Sequence, residues 1–265
     1  MNQPNYIPQG DEIECLKIAQ AEKIPAILKG PTGCGKTRFV EYVAHMLELP
    51  LITVSCHEDL TASDLVGRYV FKNNETVWED GPLTLAARFG AICYLDEIVE
   101  ARNDTTVIIH SLTDDRRLLY IDKTREVIRA HERFMMIMSY NPGYQSVLKD
   151  LKQSTKQRFM SLVFNHPDID TETRIITSET GLDETTARQL ASLGQKIRNL
   201  HDFGLAEGVS SRLLTYAARM TRSGMHPVKA CRVAIAQSLT DDPLMTASLM
   251  DIVELYFSSD APNNS

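Results

Sequence analysis

One eight-residue stretch near the start of the chain constrains the fold more than any other feature. Residues 30–37, Gly-Pro-Thr-Gly-Cys-Gly-Lys-Thr, fit the pattern G-x-x-x-x-G-K-S/T of a phosphate-binding loop. A short apolar run from Pro25 to Leu28 precedes the stretch, and apolar residues at helical spacing follow it from Phe39 to Leu47. The sequence therefore predicts a strand, a glycine-rich turn and a helix in that order.

Such a turn binds phosphate because glycine lets successive backbone N–H groups converge on an anion at the N-terminus of the helix. We expect the Lys36 ammonium to contact the β- and γ-phosphates and the Thr37 hydroxyl to bind Mg²⁺. An ordinary glycine-rich turn is the alternative, but the flanking strand and helix favour a nucleotide site. The predicted nucleotide-binding residues of this loop are Gly30, Pro31, Thr32, Gly33, Cys34, Gly35, Lys36 and Thr37.

A second landmark is the apolar run from Ala91 to Leu95, which ends in Asp96 and Glu97. Such a run is typical of a strand buried on both faces of a parallel sheet. In phosphate-loop enzymes an Asp at this position supports Mg²⁺, and we expect Asp96 to do so through a bound water. Glu97 is then placed to polarise a water for attack on the γ-phosphate. By itself the pattern fits an ordinary strand that meets a solvated loop; the upstream phosphate loop favours the catalytic interpretation.

A further buried strand is predicted over residues 134–139, and Asn141 follows it. An amide at that strand end would face the γ-phosphate and its attacking water, although Asn-Pro is also a common turn signal. Two β-hairpins are predicted as well. The first pairs residues 68–72 with 75–78 across Asn-Asn, and the second pairs 118–121 with 126–128.

Composition narrows the class of protein. The chain has 265 residues with 43% hydrophobic and 24% charged residues, and a formal net charge of -7. This acidic balance argues against salt-driven nucleic-acid binding. No run is long enough to predict membrane insertion, and no signal peptide is indicated. The five cysteines are scattered without a C-x-x-C pair, which indicates a cytoplasmic protein with neither disulfides nor a zinc site.

The pattern changes after Pro167, because only helices with caps or prolines at their ends are predicted beyond it. We therefore expect an α/β nucleotide-binding domain over residues 1–167 and a small all-helical domain over residues 168–265. Arg212 lies in the first turn of one of these helices, after Ser210. Since a helix start favours acids over bases, an external anion is the expected partner of Arg212.

Taken together, the phosphate loop, the Asp96-Glu97 strand end, the second hairpin and Asn141-Pro142 resemble the MoxR branch of the AAA+ ATPases. Within that branch the chain is most similar to the CbbQ/NorQ/NirQ family, AAA+ partners that activate Rubisco, nitric oxide reductase and related enzymes. The resemblance implies a three-layer αβα core with a five-stranded parallel sheet and β-hairpin inserts, followed by a helical lid. It also implies ATP and Mg²⁺ as cofactors and a homo-hexameric ring.

The resemblance further implies roles for single residues. Asn141 matches the sensor-1 position, and Arg158 matches the arginine finger that reaches the nucleotide of the neighbouring subunit. Arg212 matches sensor 2, which contacts the γ-phosphate in its own subunit. The two hairpins match the helix-2 insert and the pre-sensor-1 hairpin, which face the ring pore or a partner. A guanidinium stabilises the charge gathered by a transferring phosphoryl group, so both arginine roles are physically reasonable.

The implied function is an ATP-driven remodelling motor that acts with a von Willebrand factor A-domain adaptor of the CbbO type. The expected client is Rubisco blocked by an inhibitory sugar phosphate, and nitric oxide reductase or another metalloenzyme is the alternative. A GTPase is disfavoured by the lack of an N-K-x-D motif. A kinase is disfavoured by Glu97, which would direct ATP to water. A DNA-linked AAA+ motor is disfavoured by the acidic composition.

Overall fold

The structure is a computed structural model, and it describes residues 3–142, 151–199 and 208–257. Internal contacts divide the chain into two compact units. The αβ unit comprises Met1–Pro4, Gly10–Pro31 and Lys36–Phe164, and the helical unit comprises Asn5–Gln9, Thr32–Gly35 and Asn165–Ser265. The domain boundary at Pro167 stays a prediction.

The αβ unit contains both the predicted strands and the predicted hairpins. Its elements in chain order are α1 (Glu12–Ala21), β1 (Ala26–Lys29), α2 (Lys36–Met46), β2 (Leu51–Ser55), α3 (Ala62–Val66), β3 (Gly67–Lys72), β4 (Glu75–Asp80), α4 (Pro82–Phe89), β5 (Ile92–Asp96), α5 (Asn103–Leu112), β6 (Leu118–Ile121), β7 (Glu126–Arg129), β8 (Met135–Tyr140), α6 (Gln153–Lys156) and β9 (Met160–Val163).

Five of these strands form a parallel sheet in the order β2-β5-β8-β1-β9. The central strands β5 and β8 are apolar and almost wholly buried, as expected of strands covered on both faces. Helices α2 and α4 pack against the sheet. Because the strands are parallel, their carboxyl ends share one edge, which therefore carries the phosphate loop, Asp96, Glu97 and Asn141. The α/β fold class with a five-stranded parallel sheet is confirmed.

Both predicted hairpins are confirmed as two-stranded antiparallel ribbons, β3 with β4 and β6 with β7. The first turns through Asn73 and Asn74, whose φ angles of 52° and 68° suit the two-residue turn that asparagine tolerates. Arg88 of α4 links the open end of the first ribbon to the turn end of the second. It donates to Asp80 of β4 at 2.8 Å and to both carboxylate oxygens of Glu126 of β7 at 2.7 and 2.6 Å.

A short helix lies just before Arg158. Within the described residues the helix there is α6, which is only four residues long. Lys152 precedes it and Arg158 follows it, while Lys149 lies outside the described residues. The Thr155 and Leu151 side chains are buried, so this segment packs on the αβ unit and is not a free solvated helix.

The helical unit has its own apolar core. Its elements are α7 (Ile169–Thr180), α8 (Glu184–Arg198), α9 (Ser211–Arg222), α10 (Pro227–Cys231), α11 (Gln237–Leu239) and α12 (Pro243–Phe257), with a π-helical segment, Arg232–Ala236, between α10 and α11. Side chains of Asp168, Asp183 and Ser210 accept hydrogen bonds from backbone N–H groups and cap α7, α8 and α9. Among the described residues, no helix combines the length and apolarity needed to cross a membrane.

Candidate functional site

The phosphate loop connects β1 to α2, and Lys36 and Thr37 open that helix. Two glycines make this path possible. At Gly30 a Cβ would lie 2.4 Å from the Phe164 carbonyl oxygen, and at Gly35 the φ angle is 102°, which other residues adopt only with strain. Around Gly35 no heavy atom lies within 4 Å of the position that a Cβ would take, so the loop is open there.

Lys36 folds back over the loop that precedes it. Its ammonium donates to the carbonyl oxygens of Gly30 and Pro31, each at 2.8 Å. The remaining loop residues, Thr32, Gly33 and Cys34, form the bend between these carbonyls and the helix, with Cys34 buried. The lysine charge is therefore held at the loop, next to the helix N-terminus that attracts anions.

Asp96 ends β5 and receives hydrogen bonds from three hydroxyls. Its Oδ1 accepts from the Tyr94 hydroxyl at 2.8 Å and from Ser139 Oγ. Its Oδ2 faces Thr37 Oγ1 at 3.4 Å, and the Tyr94 and Thr37 oxygens are also 3.4 Å apart. Among the described residues, the side-chain donors to Asp96 are neutral hydroxyls.

Glu97 follows Asp96 in a left-handed backbone conformation, with φ 57° and ψ 47°. For a residue other than glycine such a conformation costs on the order of 1 kcal/mol and must be held by its surroundings. The Glu97 N–H donates to Ser139 Oγ at 3.2 Å, and the Glu97 side chain is exposed. The structure thus brings Asp96 and Glu97 to the sheet edge where the phosphate loop lies.

Asn141 reaches the same edge from β8. It directly follows Tyr140, whose carbonyl oxygen accepts a hydrogen bond from the Gly30 N–H at 3.2 Å. Strands β1 and β8 pair so that Lys29 lies beside Tyr140. The backbone of Asn141 is therefore adjacent to the start of the phosphate loop, and its side chain is half-buried.

Arg158 lies at the opposite edge of the sheet. It precedes β9, which pairs with β1 so that Met160 lies beside Ala26, at the amino end of both strands. The phosphate loop begins at the carboxyl end of β1, and the four strand residues between span roughly 13 Å. Arg158 is exposed and has no carboxylate partner within the described part of the chain. The structure does not bring Arg158 to the phosphate loop of its own chain.

Arg158 still influences one neighbour, His110 of α5. Burial lowers the pKa of His110, and the positive charges of Arg158 and Lys152 lower it further. The His110 ring also shares a 2.8 Å hydrogen bond between Nε2 and Thr155 Oγ1. Both effects favour the neutral form of the His110 ring.

Arg212 belongs to the helical unit, where its helix start is firmly held. It is exposed in the first turn of α9, whose cap is Ser210. The adjacent Ser211 hydroxyl donates at 2.5 Å to Glu172, which is itself paired with Arg198 at 2.6 Å. These contacts fix the backbone that carries Arg212.

Tyr94 and Ser139 are site residues that the sequence interpretation missed. Both are fully buried, and both hydroxyls point to Asp96. Burial raises the pKa of Tyr94, and the charge of Asp96 raises it further, so the phenol stays protonated. A signal existed for Tyr94, since residues two apart on a strand share a face and Tyr94 is two before Asp96.

Cysteine chemistry is not indicated at this edge. Cys56 is buried next to the two acids, and burial together with the charges of Asp96 and Glu97 raises the pKa of its thiol to about 12. Burial raises the pKa of Cys93 to about 12 as well. A thiol with such a pKa is not a thiolate nucleophile near pH 7.

The donor set suits Mg²⁺ and a nucleoside triphosphate. A carboxylate oxygen and a hydroxyl oxygen 3.4 Å apart are the hard oxygen ligands that Mg²⁺ prefers, directly or through water. An open glycine-rich turn, a lysine and a helix N-terminus provide for the phosphates. The residues present therefore fit both groups.

Comparison with solved structures shows the fold. A RuvB variant from Thermotoga maritima superposes with a TM-score of 0.55 at 14% identity, covering 93% of this chain and 71% of that one. A candidate ATPase from Cytophaga hutchinsonii gives a TM-score of 0.53 at 16% identity, covering 90% and 79%. At such low identity the similarity shows the fold alone.

Sequence comparison is more specific. The AAA domain (dynein-related subfamily) matches residues 25–159, and the CbbQ/NirQ/NorQ C-terminal domain matches residues 172–256. Among curated proteins, the denitrification regulatory protein NirQ of Pseudomonas aeruginosa is 54% identical, with 96% of this chain and 97% of that protein aligned. NorQ of Paracoccus denitrificans is 53% identical (96% and 94%), and CbbQ of Hydrogenophilus thermoluteolus is 52% identical (97% and 96%). The chain therefore belongs to the CbbQ/NirQ/NorQ family of AAA+ ATPases.

Proposed function

We propose that this ATPase drives the remodelling of a client enzyme, using a site in which Thr37 and Asp96 hold Mg²⁺ and Glu97 activates water. The observation that carries the site assignment is the geometry of Asp96. One of its oxygens is taken by two buried hydroxyls, and the other faces Thr37 at 3.4 Å. When bound there, Mg²⁺ supplies charge neutralisation at the β- and γ-phosphates.

Phosphate binding, proton acceptance and orientation of the water are assigned to different residues of the chain. Lys36 leaves the carbonyls of Gly30 and Pro31 for the phosphates, because a phosphate oxygen carries more negative charge than a carbonyl. Glu97 accepts a proton from the attacking water, and Asn141 orients that water and the γ-phosphate from the end of β8. Proton acceptance of this kind contributes typically 10² to 10⁴ in rate.

Arg158 acts in trans in this proposal. Its position at the amino edge of the sheet puts it out of reach of its own phosphate loop, and its exposure leaves it available to a neighbouring subunit. A homo-hexameric ring in which each Arg158 contacts the next subunit's nucleotide meets both conditions. Arg212, in the first turn of α9, is assigned to the γ-phosphate of its own chain.

Two active-site variants test the hydrolytic assignment. Glu97→Gln should bind a fluorescent ATP analogue with Mg²⁺ as the wild type does, while turnover falls by at least about 100-fold because water loses its proton acceptor. Lys36→Ala should lose binding as well, since the phosphates lose their lysine. Wild-type turnover in Glu97→Gln would contradict the assignment of the base.

Mixing two inactive variants tests the position of Arg158. Arginine fingers contribute on the order of 10³ to 10⁵ in related phosphoryl transfers, so Arg158→Ala should be nearly inactive. Mixed with Lys36→Ala, it should regain activity wherever an intact phosphate loop meets an intact Arg158. The Arg158→Ala, Arg212→Ala double variant should regain less activity when it is mixed with Lys36→Ala subunits. In that mixture every intact phosphate loop lies in a subunit that lacks its own Arg212. If subunits exchange and the first mixture stays inactive, Arg158 does not act in trans at independent sites.

The client is proposed to be Rubisco, reached through a von Willebrand factor A-domain adaptor. The relatives NirQ and NorQ, which are about as similar as CbbQ, support nitric oxide reductase or another metalloenzyme as the second candidate. The hairpins favour a protein partner, because Phe71 of β3 is 72% exposed and Tyr69 is 49% exposed. Large apolar side chains exposed on one ribbon are typical of a contact surface.

A trap experiment tests the client. Tagged Glu97→Gln should retain its partners under ATP, so Rubisco or nitric oxide reductase should co-purify from the source cells, and less should be retained when Phe71→Ala is added. Lys72→Ala is the matched control, because Lys72 lies on the same strand in an exposed ion pair with Glu79. DNA-stimulated turnover with neither enzyme retained would contradict the proposal.

A further inference from the structure

Two buried hydroxyls converge on one oxygen of Asp96. Tyr94 and Ser139 are each 0% exposed, and each donates to Oδ1. They come from adjacent strands, β5 and β8, which pair so that Leu95 lies beside Met138. Neither hydroxyl is needed to fill the apolar core, in which a phenylalanine and an alanine would serve. We therefore attribute the two hydroxyls to their hydrogen bonds and not to packing.

Their effect on Asp96 follows from the geometry of a carboxylate. Two donors on Oδ1 fix the rotation of the carboxylate and satisfy that oxygen, so Oδ2 is the oxygen turned to Thr37. Because both donors are neutral, they orient the carboxylate without cancelling its charge. A lysine or arginine in their place would have competed with a cation for the same charge.

Ser139 has a second contact that Tyr94 lacks. While its hydroxyl donates to Asp96, its oxygen accepts the Glu97 N–H at 3.2 Å. That N–H belongs to the residue with the left-handed backbone, which needs support from its surroundings. One serine therefore contacts both neighbouring acids, and it does so from the strand that ends in Asn141.

We propose that Tyr94 and Ser139 are positioning residues, which reserve one oxygen of Asp96 for Mg²⁺ and, through Ser139 alone, hold the backbone of Glu97 for water activation. This inference rests on the proposed function, in which Asp96 supports Mg²⁺ and Glu97 is the base. It assigns the two hydroxyls different consequences. Loss of Tyr94 affects the metal, whereas loss of Ser139 affects the metal and the base.

The test is a Mg²⁺ titration of ATP turnover by the full-length Tyr94→Phe and Ser139→Ala variants. Replacing such supporting groups typically costs 10- to 100-fold in metal affinity, so both variants should need about tenfold more Mg²⁺ for half-maximal turnover. At saturating Mg²⁺, Tyr94→Phe should recover the wild-type kcat, and Ser139→Ala should not. Binding of a fluorescent ATP analogue in EDTA should be unchanged in both, because the phosphate loop is intact.

Two further measurements make the result independent of turnover and of folding. Mn²⁺ binding with a non-hydrolysable ATP analogue, followed by electron paramagnetic resonance, should weaken in both variants. Thr84→Val is the matched control, because it removes another fully buried hydroxyl, one that donates to the Val66 carbonyl oxygen and not to the site. That carbonyl still accepts the Gly81 N–H, so the control should keep the wild-type Mg²⁺ requirement.

Asp96→Asn separates failure of this inference from failure of the proposed function. If Asp96→Asn weakens Mn²⁺ binding and the two hydroxyl variants do not, the positioning role is overturned while the metal site stands. If Asp96→Asn has no effect on the metal either, the metal assignment falls, and the inference with it. If Ser139→Ala recovers the wild-type kcat at saturating Mg²⁺, its role toward Glu97 is overturned.

Discussion

Two carboxylates, one in each unit of the molecule, are held in different ways. Asp96 in the αβ unit accepts from the hydroxyls of Tyr94, Ser139 and Thr37. Glu172 in the helical unit, 1% exposed, accepts from both terminal nitrogens of Arg198 at 2.6 and 2.8 Å. The donors to the first carboxylate are neutral hydroxyls, whereas a guanidinium donates to both oxygens of the second.

The difference separates a structural acid from the acid that we propose to support Mg²⁺. The guanidinium of Arg198 satisfies both oxygens of Glu172, and its Nε donates to the Val209 carbonyl oxygen at 2.8 Å. Neither carboxylate oxygen of Glu172 is left to bind a ligand. At Asp96, neutral donors fix the geometry and one oxygen stays directed to the Thr37 hydroxyl. The charge of their hydrogen-bond partners distinguishes the two.

The largest expected effect on stability comes from breaking the ion pair between Glu172 and Arg198. Glu172→Ala should lower the free energy of unfolding by about 3–5 kcal/mol, because it leaves the Arg198 charge buried without a counter-charge. Chemical denaturation of the purified variant measures this loss. A loss below about 1 kcal/mol would mean that Arg198 finds water or another partner, and the contrast with Asp96 would weaken.

Asp96→Asn should have the opposite effect, with little loss of stability and a large loss of ATP turnover. The amide oxygen can still accept from Tyr94 and Ser139, so the free energy of unfolding should change by less than about 1 kcal/mol. Turnover should fall by at least about 100-fold, because support of a metal ion is worth several kcal/mol in phosphoryl transfer. Paired denaturation and ATPase assays test both halves. A destabilised variant with normal turnover would make Asp96 the structural acid.

The smallest effect is expected from a second ion pair between the same two helices. Asp170 of α7 and Arg188 of α8 are in contact, as Glu172 and Arg198 are, but their side chains are 78% and 53% exposed. Exposed pairs contribute at most about 1 kcal/mol, so Asp170→Ala should be nearly neutral in denaturation. An effect as large as that of Glu172→Ala would show that burial is not what distinguishes the pairs.

The sequence predicted local features well because their causes are local. The phosphate loop, the buried strands and both hairpins follow from glycine placement, apolar runs and the Asn73-Asn74 turn. Tyr94 and Ser139 were missed because their meeting with Asp96 depends on the register between β5 and β8, which a sequence pattern does not fix.

A structure of Glu97→Gln with ATP and Mg²⁺ tests the central claim most directly. The account predicts Mg²⁺ bound to Thr37 Oγ1 at about 2.1 Å and to Asp96 Oδ2 through water, with Tyr94 and Ser139 still donating to Oδ1. It also predicts Arg158 of an adjacent subunit at the γ-phosphate. Mg²⁺ held away from Asp96, or Asp96 turned so that Oδ1 faces the metal and the two hydroxyls are left without an acceptor, would contradict it.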